Sequence, residues 1–414
     1  MRALLFERKL PRYAAARVAG TLSPGFGAWV APLSLTDVDE PDLPGPGWHR
    51  LRPRLAGICG SDLATIDGKS SRYFEPVVSF PFVPGHEVVG DLADGTRAVV
   101  EPVLGCAVRG IDPPCPACAT GRADCCERIA FGDIEPGMQT GYCSDTGGGW
   151  STGLVAHESQ LHRVPGGVSD EAAVMVEPAA CAIHGVLSAA GTLAGGTVVV
   201  LGAGTLGLCA VAALRRYNTP GTVLAVAKYP EQRDFAADLG ADVVVEPQEA
   251  RRAVRRATQS LRVGGRLSGG ADVVIDCVGS EASVAEDLAV VRPGGLVVLL
   301  GMPATISVDL TPLWQRQITL RGSYAYGVEP GDGARNGTGD GTGTGDGTGD
   351  GTGDAGPRRT FDLAFDLVAD ARLDRLVSAL YPLDRYREAI DHAANAGRRG
   401  AVKVAFDLRG EKRR

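Results

Sequence analysis

The sequence predicts an α/β protein that combines a small β-rich domain with a doubly wound parallel-sheet domain. Residues 1–105 consist of short β segments broken by Pro and Gly, with no long helical period among them, which is typical of a mostly antiparallel β domain. From Thr197 onward, apolar strands alternate with helical segments, which predicts a parallel sheet with helices on both faces. A chain of 414 residues is too long for one ordinary core, so we expect two or three domains.

Composition and charge exclude several classes of function. The formal net charge of −7 provides no basic surface for nucleic acid or for an anionic membrane. The N-terminus is charged and no long apolar run follows it, so we expect a soluble cytoplasmic protein that acts on a small molecule. Ten Cys residues are too few and too unevenly spread for a disulfide scaffold, and they indicate metal binding in a reducing compartment.

The first candidate metal site lies in the β-rich region. Cys59, Ser61 and Asp62 belong to the stretch 57–62, and Gly85-His86-Glu87 follows further along the chain. A catalytic zinc takes about three protein ligands of mixed N, S and O type and keeps one position open. Cys59 and His86 are therefore candidate ligands, and a carboxylate such as Asp62 can orient a neighbouring imidazole. For a single Cys, a packed core residue is the alternative interpretation.

A third candidate ligand, Glu177, lies on a helix predicted at 170–191. An acid in an otherwise apolar stretch needs a partner, and Ala172 to Val176 are all apolar. Cys181 lies four residues further on and shares this face of the helix. Either side chain could reach a metal, and the isolated acid favours Glu177.

Four thiols form a second candidate metal site, consisting of Cys106, Cys115, Cys118 and Cys126. Four thiolates grouped in one loop are the usual ligand set of a closed structural zinc site. The alternative is an empty or degenerate lobe, because residues 107–114 separate Cys106 from the other three. Cys125 also competes with Cys126 for the last position.

The clearest cofactor motif is Gly202-Ala203-Gly204-Thr205-Leu206-Gly207, which follows an apolar strand at 197–201 and precedes a helix predicted at 208–217. In this strand–turn–helix context, the first glycine permits the tight turn and the second lets the backbone approach a pyrophosphate. The third glycine allows the helix to pack closely on the strand. Free N–H groups at the start of the helix would bind the phosphates.

The next strand, at 223–226, should end in Asp or Glu if the cofactor is NAD. Ala227 occupies that place, Lys228 follows it, and Arg233 lies one helical turn further on. Without the acid, a 2′-phosphate is not repelled, and Lys228 and Arg233 could pair with it. The pattern favours NADP, with NAD possible; the alternative is that Lys228 is only a solvated surface charge.

The remaining segments extend both domains. Further strands are predicted at 241–246, 272–279 and 295–301, and the four Arg residues within 251–256 are interpreted as a solvated helix face. Residues 331–356 are a low-complexity run of Gly, Thr and Asp that cannot bury a core, so we expect a disordered surface insertion. After it, we predict helices at 361–381 and 383–396 and a closing strand at 401–406.

With these motifs, the chain resembles the zinc-dependent medium-chain alcohol and polyol dehydrogenases over nearly everything except 331–356. The resemblance rests on the motifs at 57–62, 85–87, 106–126, 177–178 and 202–207, which occur in the family's order. Glu177-Pro178 is most similar to the sorbitol, threonine and glucose dehydrogenase branch. Two departures are the stretched Cys lobe and Ala227 in place of the usual acid.

The resemblance implies a GroES-like catalytic domain built from both ends of the chain, with a Rossmann domain between them. The implied boundaries are 1–180 for the first part of the catalytic domain, 181–322 for the Rossmann domain and 323–414 for the return to the catalytic domain. The resemblance also implies that the protein is a homodimer or homotetramer.

The resemblance also implies a mechanism. The implied zinc ligands are Cys59, His86 and Glu177. Glu87 either binds the metal directly or lies in the outer coordination sphere. Zinc acts as a Lewis acid on the substrate oxygen, Ser61 relays the proton, and Asp62 orients His86. The implied function is hydride transfer between NAD(P) and an alcohol or carbonyl substrate, namely a polyol, sugar or amino alcohol.

Other functions fit the residues less well. A zinc-free NADPH reductase of the same superfamily would lack Cys59, His86 and Glu177, and all three are present. A non-catalytic NADP-binding protein would be expected to have lost Ser61 or a ligand. A calcium-binding protein organised around 331–356 would need a regular apolar position that the run does not have.

Overall fold

A computed structural model describes residues 1–330 and 356–411; the predicted insertion, apart from residue 356, lies outside them. In these ranges the strands are β1 (Arg2–Phe6), β2 (Leu33–Asp37), β3 (Trp48–Gly57), β4 (Val88–Leu92), β5 (Arg97–Val100), β6 (Leu154–His157), β7 (Leu161–Arg163), β8 (Thr197–Leu201), β9 (Thr222–Val226), β10 (Val243–Val245), β11 (Arg262–Val263), β12 (Arg266–Leu267), β13 (Ala271–Asp276), β14 (Val291–Leu299), β15 (Thr319–Gly322), β16 (Val328–Glu329), β17 (Arg358–Arg359), β18 (Val377–Tyr381) and β19 (Lys403–Asp407).

The α-helices of the same ranges are α1 (Leu10–Leu22), α2 (Gly60–Ile66), α3 (Pro116–Ala119), α4 (Asp170–Ala173), α5 (Val176–Leu187), α6 (Ala190–Leu193), α7 (Thr205–Tyr217), α8 (Pro230–Asp238), α9 (Ala250–Ala257), α10 (Glu281–Val290), α11 (Thr311–Gln315), α12 (Thr360–Asp370) and α13 (Tyr386–Ala394). None of them is both long and apolar enough to cross a membrane.

The parallel sheet has the order β10-β9-β8-β13-β14-β15, and each adjacent pair is parallel. Because side chains alternate along a strand, β8 supplies two cores. Val198 and Val200 pack with helices α5, α7 and α12, and Val199 packs on the other face with α9 and α10. The strand order reverses between β8 and β13, where doubly wound sheets bind their ligands. The predicted doubly wound α/β domain is confirmed.

The second large sheet has the order β18-β19-β3-β4-β5-β7, and β6 pairs with β3. Strand β19 runs antiparallel to β3, with Ala405 opposite Gly57 and Asp407 opposite Leu55. This pairing brings the C-terminal part of the chain beside the stretch that carries Cys59. This sheet is therefore built from two distant parts of the chain.

The prediction of no helix in residues 1–105 was wrong, because α1 and α2 lie there. Helix α1 (Leu10–Leu22) has Pro in its first turn and buries Ala16, Ala19 and Gly20. Proline is favoured in that first turn, where its missing N–H would have no helical partner. An Ala-rich segment following Pro is thus a helix signal, and Pro11 starts a helix rather than breaking a strand.

Two predicted helices are interrupted. The helix predicted at 170–191 is divided into α4, α5 and α6, and the predicted domain boundary at 180/181 falls inside α5. The helix predicted at 361–381 is also wrong in its second half: α12 ends at Asp370, Arg372 has a φ of 52°, and residues 377–381 form β18. Parallel pairing of β18 with β19 outweighs the local helical preference there.

Candidate active site and metal centres

The 57–62 stretch turns from β3 into helix α2, and Cys59 caps that helix. The Cys59 N–H donates to Asp62 Oδ2 at 3.0 Å, and the Cys59 side chain accepts from the backbone of Asp62 in return. This reciprocal capping satisfies two free N–H groups and fixes the start of the helix. It holds the Cys59 thiol and the partly exposed Ser61 in one short turn.

His86 lies in a buried loop that meets this turn. Gly85 has a φ of 99°, and a Cβ there would come within 2.4 Å of Trp150 Cδ1, so the close approach requires glycine. His86 is 3% exposed, and its Nδ1 lies 3.5 Å from Asp62 Oδ1. Burial opposes protonation of His86, but the Asp62 carboxylate outweighs it and raises the pKa of the imidazole well above its usual value. Asp62 is thus placed to orient His86.

Cys59, His86 and Glu87 each place a possible ligand atom within 4.8 Å of those of the other two. Together they offer a sulfur, a nitrogen and a carboxylate oxygen, the mixed set that suits a catalytic zinc. The buried His86 Nδ1 has no hydrogen-bond partner among the described residues. This donor set therefore fits the expected metal.

Glu177 lies on α5 outside that group of three. It is 5% exposed and accepts a hydrogen bond from Cys181 Sγ at 3.5 Å. Burial raises the pKa of Glu177 to about 7, His86 and Lys403 oppose the shift, and Glu87 reinforces it. The structure thus brings Cys59 and His86 together as expected, with Glu87 completing the group and Glu177 within its electrostatic reach.

Two further residues of this centre were not anticipated from the sequence. Lys403, on β19, forms a buried ion pair with Glu87 and donates to the Ile58 carbonyl at 3.3 Å. Tyr142 donates from its hydroxyl to Asp62 Oδ1 at 3.3 Å. A single Lys in an apolar closing strand was the available signal for Lys403.

The four-cysteine lobe forms the second group. Its members Cys106, Cys115, Cys118 and Cys126 have sulfurs within 4.8 Å of one another. Cys126 Sγ lies 3.7 Å from Cys106 Sγ and 4.0 Å from Cys115 Sγ, close to the edge of about 3.8 Å that a tetrahedron with Zn–S bonds of about 2.3 Å requires. The lobe therefore fits a closed zinc site.

The surroundings favour the thiolate at Cys115, whereas burial raises the pKa of Cys118 and of Cys126. Burial opposes ionisation of Cys115, but N–H groups of Cys118 and Glu127 outweigh it and lower its pKa to about 6. Cys125 is exposed and its sulfur contacts the Arg122 guanidinium at 2.7 Å. The competition between the two neighbouring cysteines is thus resolved in favour of Cys126.

The glycine-rich turn lies between β8 and α7, at the edge where the strand order reverses. Gly202 has a φ of 91°, and a Cβ on Gly207 would come within 1.8 Å of the Gly202 carbonyl oxygen. Gly204 faces open space, and α7 begins at Thr205, three residues before the predicted start. Ala203 is buried and Leu206 packs against the core. These features leave a cradle for a pyrophosphate at the start of α7.

A cavity of about 310 Å³ joins the two motifs. Its lining includes Ile58 and Gly60, which flank Cys59 in the chain, and Gly204 and Thr205; the side chains of Cys59, His86 and Glu87 are not part of it. The rest of its wall is formed mainly by Tyr229 and Gln232 of the Rossmann domain and by residues 393–398 of the C-terminal part.

The predicted 2′-phosphate residues do not line this cavity. Arg233 Nη1 lies 3.2 Å from Glu246 Oε1 and donates to the Lys228 carbonyl at 3.2 Å. The exposed Lys228 ammonium lies 5.6 Å from the centre of the Tyr229 ring, and Ala227 is fully buried. Arg233 is therefore occupied by a carboxylate, and Lys228 remains at the outer edge.

Two family models match this chain. The model described as alcohol dehydrogenase GroES-like domain matches residues 45–166, and the one described as zinc-binding dehydrogenase matches residues 205–334. The first covers the Cys59 and His86 loops and the cysteine lobe, and the second begins inside the glycine-rich turn.

Curated relatives support the same assignment. A protein named probable D-xylulose reductase A from Aspergillus clavatus is 30% identical over 308 residues, covering 71% of this chain and 80% of the relative. D-xylulose reductase A from Aspergillus oryzae is 30% identical over 287 residues, covering 66% of this chain and 74% of the relative.

Solved structures share the fold. A chain assigned as a zinc-binding dehydrogenase from Sinorhizobium meliloti, bound to NADP, superposes with a TM-score of 0.65 and 25% identity, covering 91% of this chain and 96% of that one. Alcohol dehydrogenase from Thermus sp. ATN1 gives a TM-score of 0.66 at 24% identity, covering 99% of this chain and 100% of that one.

Proposed function

This chain belongs to the zinc-dependent medium-chain alcohol and polyol dehydrogenases, and on that premise we propose that it interconverts a polyol and the matching ketose with NADP. It is an NAD(P)-linked, zinc-dependent oxidoreductase of alcohols and polyols. The observation that carries the proposal is the shared cavity, whose lining includes Ile58 and Gly60 on either side of Cys59 in the chain as well as Gly204 and Thr205. A substrate beside Cys59 and a nicotinamide extending from the glycine-rich turn would therefore meet in one cleft.

Cys59 and His86 would hold the zinc together with a carboxylate. Glu87 lies within the 4.8 Å group, and Glu177 approaches from α5, so the two acids are the candidates for the third position. Zinc would supply Lewis-acid polarisation of the substrate oxygen. Asp62 would keep the His86 ring oriented, and Lys403 would balance the charge of Glu87.

The Ser61 hydroxyl beside the centre would move the proton. Thr65 Oγ1 donates to the Ser61 carbonyl at 3.0 Å and lies 2.9 Å from Ser70 Oγ, which holds the turn around Ser61. A proton lost by the substrate hydroxyl would pass to the Ser61 hydroxyl and leave from this partly exposed residue to solvent.

Relatives and ligand set indicate the substrate class. The curated relatives are named D-xylulose reductases, so a pentitol and its ketose are the first substrates to test.

Ten free cysteines among the described residues, four of them grouped as metal ligands, support a reducing, cytoplasmic setting. We propose a homodimer or homotetramer, which sedimentation analysis would establish.

The test combines metal content with turnover. Protein purified without chelator should contain two zinc ions per chain and should reduce NADP with a polyol faster than with simple alcohols. Turnover with one zinc would remove the structural role of the cysteine lobe. Absence of both zinc and activity would overturn the proposal in favour of a zinc-free or non-catalytic relative.

A further inference from the structure

A segment of the C-terminal part covers the nucleotide pocket of the Rossmann domain. Residues Ala396–Arg399 form a 3₁₀ turn after α13, and its Gly397 packs on Tyr229. A Cβ on Gly397 would lie only 2.2 Å from Tyr229 Cδ2, so the backbone itself rests against the ring. Tyr229 follows β9, at the point where the adenosine ribose of a dinucleotide lies in this fold. The catalytic domain therefore contributes to the wall of the adenosine pocket.

The cations around this pocket differ in their availability. Arg233 is paired with Glu246, and Arg399 is paired with Asp391. Arg398 lines the cavity together with Tyr229 and Gln232. Within residues 1–330 and 356–411, the Arg398 side chain has neither an ion pair nor a hydrogen bond; only its backbone N–H is engaged, by the Asn395 carbonyl at 3.0 Å. Arg398 is thus the cation in the cavity wall that is free to bind an anion.

We propose that the Arg398 guanidinium, on the C-terminal segment, binds the 2′-phosphate of NADP. This role rests on the NADP-linked function proposed above. The planar guanidinium can hold a phosphate through two parallel hydrogen bonds. Ala227 is buried and supplies no carboxylate; Glu231 of α8 is the acid that faces this segment, with its Oε1 2.9 Å from the position a Cβ on Gly400 would take. Lys228, at the outer edge over the Tyr229 ring, adds positive charge without entering the cavity. NAD would leave Arg398 without its anion, which would make the residue a determinant of cofactor choice.

The test measures binding of two fragments, 2′,5′-ADP and 5′-AMP, by titration calorimetry with the zinc-loaded full chain. Wild-type protein should bind 2′,5′-ADP more tightly than 5′-AMP. Arg398→Gln should weaken 2′,5′-ADP roughly tenfold or more and should leave 5′-AMP unchanged. Arg399→Gln is the matched control, because its guanidinium already pairs with Asp391, and it should preserve the preference.

Two outcomes would overturn this assignment and can be told apart. If Arg398→Gln retains the 2′,5′-ADP preference while Arg233→Gln or Lys228→Gln loses it, the phosphate is read from the Rossmann side and NADP linkage stands. If the wild-type protein binds both fragments equally, no residue reads a 2′-phosphate, and the NADP preference fails together with the role of Arg398.

Discussion

The Lys403 ammonium contacts the Glu87 carboxylate in the interior, with 2% of one side chain and 1% of the other exposed. Burial lowers the tendency of Lys403 to stay charged, but Glu87 and Cys59 outweigh it and raise its pKa. Buried pairs of this kind are costly to break, because the remaining charge has no solvent. One cation thus ties β19 to the His86-Glu87 loop and to the turn that carries Cys59.

Removing the cation should therefore cost stability. We expect Lys403→Met to lower the free energy of unfolding by about 3–5 kcal/mol, measured by urea denaturation. The double variant Glu87→Gln/Lys403→Met should recover much of the loss, because no buried charge then remains unpaired. Arg399→Gln, which breaks an exposed pair with Asp391, should cost no more than about 1 kcal/mol. A Lys403→Met protein as stable as wild type would show that the pair is not formed.

Gly57 is needed for the close approach of that pair. A Cβ at Gly57 would lie 1.9 Å from Glu87 Oε2 and 2.8 Å from Lys403 Cε, whereas one at Gly60 would have no heavy atom within 4 Å. Gly57→Ala should cost about 1–3 kcal/mol and displace Glu87, and Gly60→Ala should be tolerated. The melting temperature and the zinc content of the two variants should be measured and compared. Equal behaviour of the two would contradict the packing described.

The catalytic group and the nucleotide turn should be separable. Cys59→Ala should remove one zinc per chain and abolish turnover, because the sulfur ligand is lost. NADPH binding, followed by fluorescence, should persist, since the glycine-rich turn belongs to a different sheet. Simultaneous loss of NADPH binding would show that the two sites are not independent.

The cysteine lobe offers a matched pair of neighbouring thiols. Cys126 is 8% exposed and belongs to the four-sulfur group, and Cys125 is exposed outside it. Cys126→Ser should lose the second zinc and lower the melting temperature, because structural zinc contributes directly to folding. Cys125→Ser should retain two zinc ions per chain. Metal analysis that finds both variants unaffected would rule out a structural zinc at this position.

Asp287, on α10, should make stability depend on pH. Burial first, and then the neighbouring Asp276, raise the pKa of Asp287 to about 10. In the unfolded chain this group ionises near pH 4, so the folded state holds one more proton between about pH 4 and about pH 10. The stabilisation is complete below the unfolded pKa and is lost as pH rises towards the folded one, by up to about 1.4 kcal/mol per pH unit.

Asp287→Asn removes that titration and keeps the size of the side chain. The variant should match wild type near pH 4 and become progressively more stable than it towards pH 9, in urea unfolding at several pH values. Parallel stability curves for the two proteins would mean that Asp287 is already ionised in the folded state.

Motifs that are contiguous in the chain were predicted well from the sequence. The glycine-rich turn carries its geometry in Gly202 and Gly207, and the cap at Cys59 is completed by Asp62 three residues later. Both depend on neighbours along the chain, so the sequence pattern alone indicates them. The parallel sheet is predicted for a similar reason, since each strand is followed by its own helix.

Features that depend on distant pairing were missed. The preference of residues 377–381 for a strand comes from β19, and Lys403 acquires its role only when β19 pairs with β3. The position of Glu87 relative to Glu177 is likewise set by the packing of α5 against residues such as Leu55 and Val89, which are distant in the chain. Arg398 has no local signature, because its surroundings are supplied by Tyr229 from another domain.

The placement of β19 has a consequence for the order in which the protein can mature during synthesis. Strands β8 to β15 lie in one uninterrupted stretch, so the Rossmann sheet can form as soon as that stretch has left the ribosome. The loops bearing Cys59 and His86 emerge earlier but wait for residues 403–407 to fill the gap between β3 and β18. Until then Glu87 has no Lys403 to neutralise it, and metal capture at the catalytic centre should be among the last events of biogenesis.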